Sequence, residues 1–105
     1  MDNKEIILDC IKTTVERYIP GSEVRLFGSR ARNDSGFDGD YDILIVTNKL
    51  LTTKKKFPLK TAIRKDLLKS GIRTDILIQS KNEIAIKKNL PGHIIRNILK
   101  EAILL

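Results

Sequence analysis

Apolar positions along the 105-residue chain change period from block to block. Between Asn3 and Ile19 they fall at Ile6, Ile7, Cys10, Ile11, Val15, Tyr18 and Ile19. Steps of three and four predict an amphipathic helix, and Pro20-Gly21-Ser22 ends it. Glu23–Phe27 alternates, which predicts a strand. Residues 28–39 have no period and predict a loop with room for one helical turn at its start. Tyr41–Val46 is rich in β-branched residues and predicts a second strand. Thr47–Phe57, carrying Lys54, Lys55 and Lys56, reads as a solvated basic connection.

A helix is then expected from Pro58 to about Lys69, with Leu59, Ala62, Ile63 and Leu67 on one face and Gly71 past its end. Arg73–Ser80 predicts a third strand, residues 81–90 a short helix, and residues 91–104 a final helix opened by Pro91. The order α-β-β-α-β-α-α places the chain in the α/β (α+β) class. The expectation is one domain over 1–105, a mixed sheet of three or four strands flanked by helices. No repeat or linker interrupts it.

Composition narrows the chemistry. Lys and Arg total 20 against 13 Asp and Glu, a net charge of +7. Most of these cations suit a solvated surface, but the excess also suits a polyanion such as a triphosphate or an acidic partner. Aromatics are 5% with no Trp, so direct nucleic-acid binding through base stacking is not favoured. The single cysteine, Cys10, forms no disulfide within the chain and reads as a small apolar helix residue. The single histidine, His93, opens the last helix and reads as a surface or capping group. No signal-peptide pattern and no membrane-length apolar run is visible, so a cytoplasmic protein with no membrane partner is expected.

The segment between the first two strands, LFGSRARNDSGFDGDYDILIV from Leu26 to Val46, holds the chemistry. If the Gly28–Ser29 turn and Asp40/Asp42 serve one site, the flanking strands must be antiparallel. A crossover helix into the third strand makes that strand parallel to the second, so Asp75 starts beside Asp42. Asp40 and Asp42 share a strand face roughly 6.5–7 Å apart at the α-carbons, and Asp75 lies about 4.8 Å away across the sheet. Clustered carboxylates repel unless a cation lies between them. An oxygen-only set suits Mg²⁺ or Mn²⁺. A glycine turn admits a phosphate closely, with the Ser29 hydroxyl and backbone N–H groups as donors. Arg30 or Arg32 would pair with phosphate. Taken singly, a Gly-Ser turn, an Asp-x-Asp or one more acid means little. Their order and spacing between strands carry the weight.

Gly28-Ser29, ten intervening residues and Asp40-Tyr41-Asp42 resemble the signature of the DNA polymerase β-like nucleotidyltransferase superfamily. LFGSRAR followed by DYDILIV, with NLPGHIIRNILKEAILL at the end, is similar to the minimal nucleotidyltransferases, and the likeness spans nearly the whole chain. The resemblance implies transfer of a nucleoside monophosphate from an NTP, ATP above all, to a hydroxyl with two divalent ions. It implies Asp40 and Asp42 as ligands of both metals, and Asp75 as the third acid, which helps deprotonate the acceptor. Gly28 and Ser29, with Arg30 and Arg32, would bind the nucleotide. It further implies an antitoxin role beside a small helical HEPN-type toxin, AMPylated on a tyrosine. Three departures stand out: Asn33 where glycine is common, Gly39 where serine is common, and no closing tyrosine after Leu105.

Two other readings belong beside this one. The same fold would serve as a non-catalytic NTP- or partner-binding module that neutralises a toxin by complex formation. A small-molecule nucleotidyltransferase would need an additional helical domain for its acceptor. A homo-oligomer is possible, the second copy supplying acceptor surface.

Overall fold

The structure is a computed structural model that describes residues 3–32 and 39–105. Its elements in chain order are α1 (Asn3–Tyr18), β1 (Glu23–Phe27), α2 (Gly28–Ala31), β2 (Tyr41–Thr47), α3 (Thr53–Lys69), β3 (Thr74–Ser80), α4 (Lys81–Lys87), α5 (Ile94–Glu101) and β4 (Ile103–Leu104). One four-stranded sheet runs in the order β3-β2-β1-β4. β2 is antiparallel to β1 and parallel to β3, as the sequence led us to expect. No helix among the described residues is long and apolar enough to cross a membrane.

Strand alternation divides the core into two layers. On one face Leu26, Ile43, Ile45, Ile76 and Ile78 pack against Ile11 and Val15 of α1 and Ile63 and Leu67 of α3. On the other, Leu44 and Val46 meet Ile95 and Ile98 of α5, with Leu77, Ile84 and Phe27 at the margin. Burying each large aliphatic side chain is worth roughly 1.5–3 kcal/mol, so the central strands need no other staple. Cys10 lies half-buried against the first layer.

Two expectations are corrected. α3 starts at Thr53, five residues before Pro58, because the Thr52 hydroxyl caps it by accepting from the Lys55 N–H. The three lysines therefore sit on a helix. The last helix covers only Ile94–Glu101, because Ala102 turns extended and Ile103–Leu104 pair with Leu26 and Arg25 along the free edge of β1. The Leu105 N–H extends this pairing to the Val24 carbonyl. His93 caps α5 as anticipated, its Nδ1 accepting from the Ile95 N–H at 3.1 Å.

Candidate active site at the glycine turn

The C-terminal end of β1 and the N-terminal ends of β2 and β3 lie side by side. Phe27 is in register with Asp42, and Asp42 with Asp75. Asp42 is on the face shared by Leu44 and Val46, and Asp75 on the face shared by Leu77, so both acids belong to the α5 side of the sheet. Asp40 precedes Asp42 by two residues, just before β2 begins.

Gly28 follows β1 with φ +74°, a left-handed geometry that glycine alone adopts cheaply. It also lies hard against Asp42: a Cβ at Gly28 would overlap Oδ2 of Asp42 and stand 3.1 Å from its Cγ. The absent side chain is thus what lets turn and carboxylate meet. Ser29 follows as the second residue of α2.

The electrostatics are those of crowded acids. Burial first, then the charges of Asp75 and Asp40, push the Asp42 carboxyl above its ordinary pKa, and Glu101 adds to this while Arg32 opposes it. Asp40 is turned toward Arg73, with Oδ1 3.6 Å from Nε. Among the described residues no three metal-ligating side chains are gathered tightly enough to hold an ion as they stand. The donor set nonetheless suits a hard cation: it is all oxygen, and its central carboxylate resists ionising beside its neighbours.

The two arginines have partners inside the fold. Arg30 lies over the Tyr41 ring, 4.5 Å from its centroid, and its Nε donates to the Gly39 carbonyl at 3.1 Å. It thereby ties α2 to the start of β2. Arg32 reaches Glu101, with Nη1 to Oε2 at 3.0 Å. Asn33 lies outside the described residues. Three contributors escaped the sequence reading: Glu101, Tyr41 as a platform, and Arg73 as the partner of Asp40. None carries a local signal, since each acts on a residue from another element.

Beyond Asp75, on the side away from Gly28, a cavity of about 170 Å³ is lined by Phe57, Lys60, Arg64 and Thr74 among others. The Thr74 hydroxyl is buried and meets no hydrogen-bond partner among the described residues.

The profile of the nucleotidyltransferase domain family matches residues 8–105. The chain belongs to that family. The nucleotidyltransferase domain is also similar to a solved structure described as a candidate minimal nucleotidyltransferase. The two share 27% identity and a TM-score of 0.59, over 100% of this chain and 97% of that one. No curated protein matches it. Fold and family together support nucleotidyl transfer as the general activity.

Proposed function

We propose that this domain transfers AMP from ATP to a hydroxyl of a partner protein, and that the partner is a small helical HEPN-type toxin held inactive by the modification. The observation that carries the reading is the contact of Gly28 with Asp42, with Asp75 in register on the next strand. A phosphate-admitting turn and a cation-seeking carboxylate pair are thereby fused at one sheet end.

Asp42 and Asp40 would hold Mg²⁺ or Mn²⁺, with Asp75 completing the set. A bound ion of this kind supplies charge neutralisation on the triphosphate and a more acidic acceptor hydroxyl. The Gly28 turn and the Ser29 hydroxyl orient the triphosphate on the β1 side. Asp75 stands on the β3 side and receives the acceptor's proton. The acceptor oxygen bonds to the α-phosphorus, and the bond from that phosphorus to the bridging oxygen of pyrophosphate breaks, pyrophosphate taking the electron pair. An in-line approach requires the acceptor opposite pyrophosphate, hence from the β3 side, where Lys60 and Arg64 favour an acidic surface. The net charge of +7 agrees with such a partner.

The test is purified protein with ATP labelled at the α-phosphate, Mg²⁺ and the candidate partner. Label on the partner, lost in Asp42→Asn, is expected. A tight complex that carries no label, equally tight with Asp42→Asn, would mean a non-catalytic binding module instead.

A further inference from the structure

The groups that the nucleotide reading gives to the triphosphate already hold an anion. Oε1 of Glu101 accepts from the Gly28 N–H at 3.2 Å, and Oε2 accepts from Nη1 of Arg32 at 3.0 Å. Two oxygens of one negative group span a backbone donor and a guanidinium, much as two oxygens of a phosphate would.

This placement follows from the end of the chain. Leu26 pairs with Ile103 across β1 and β4. Two residues further along each, Gly28 and Glu101 face each other. Glu101 closes α5, and the extended turn at Ala102 keeps it over the glycine turn. The carboxylate is not locked in the core: the side chain is 35% exposed, and that of Arg32 is 52% exposed. A contact at this depth can open without unfolding anything.

We propose that Glu101 is an internal stand-in for a phosphate group, and that a triphosphate gains the Gly28 N–H and Arg32 only by displacing it. The inference rests on the nucleotide reading above. Glu101 then sets nucleotide affinity from outside the acid cluster, and any shift at the α5–β4 junction is felt at the site.

The experiment is calorimetric binding of Mg²⁺ with α,β-methylene-ATP, which cannot be cleaved at the reacting bond. Glu101→Gln keeps shape and drops the charge, whereas Glu101→Ala drops both bonds. Both should bind about tenfold more tightly than the wild type, since a competing charge-assisted bond is gone. In an Arg32→Ala background most of that gain should vanish. Equal or weaker binding by both Glu101 variants, with the wild type still binding, overturns the proposal and makes Glu101 a brace; the nucleotide reading survives that result. Failure of the wild type and both variants to bind overturns both. As a check that needs no variant, the Gly28 amide and Arg32 side-chain NMR signals should both move on titration of the wild type. If neither moves while heat is released, the proposal is equally wrong.

Discussion

Gly28→Ala puts the central contact under direct test. Two costs add. At φ +74° an alanine loses roughly 1–2 kcal/mol to the clash of Cβ with its own backbone. The new methyl also overlaps Oδ2 of Asp42, with Cγ at 3.1 Å and Cβ at 3.4 Å, so the carboxylate must leave its rotamer. That second adjustment costs about 0.5–1.5 kcal/mol. The total, about 1.5–3.5 kcal/mol, lowers the melting temperature of a domain this size by roughly 6–28 °C. Urea titration followed by circular dichroism measures it, and a double-mutant cycle with Asp42→Ala separates the parts. Removing the carboxylate should recover the overlap share and leave the backbone share, a coupling of about 1 kcal/mol. A Gly28→Ala loss below about 0.5 kcal/mol, or strictly additive variants, would refute the packing of turn against acid.

Asp42 and Glu83 predict opposite pH trends. The Asp42 pKa is raised, by burial foremost and then by Asp75 and Asp40, so the fold holds that proton more tightly than the unfolded chain does. Ionising it therefore removes stability as pH climbs past the unfolded carboxylate value near 3.9. Without divalent ions, Asp42→Asn should melt higher than wild type near pH 7, with the gap closing toward about pH 3; a gap that ignores pH contradicts the crowding. For Glu83, burial works to raise the pKa, but the Ser80 N–H and Lys56 together outweigh it and bring it down. Its stabilisation is present above the unfolded value and fades as pH falls through the lower folded one. Glu83→Gln should thus cost about 1 kcal/mol near neutrality and progressively less in acid, measured by the same melts; an equal loss at every pH would assign the effect to the capping box alone.

The sequence was most informative where neighbours in space are also set by strand order. Gly28, Asp42 and Asp75 could be brought together from alternation, one short loop and one crossover. Two boundaries went astray for physical reasons. Lysines are good helix formers, but Lys54–Lys56 carry no apolar period, so the cap at Thr52 was the only cue to where α3 starts. Ile103 continues the apolar spacing of Ile95, Ile98 and Leu99, and only the open edge of β1 draws it into a strand. Glu101 was illegible for a similar reason: it acts on residues 69 and 73 positions away.

The β1–β4 pairing has a consequence for how the protein matures. β1 leaves the ribosome well before β4, its outer neighbour in the sheet. Until residue 104 emerges, the strand that carries the glycine turn has one side bare, and Glu101 has not reached Gly28. A nascent chain would therefore present its glycine turn uncovered until α5 and β4 dock and bring Glu101 to the Gly28 N–H.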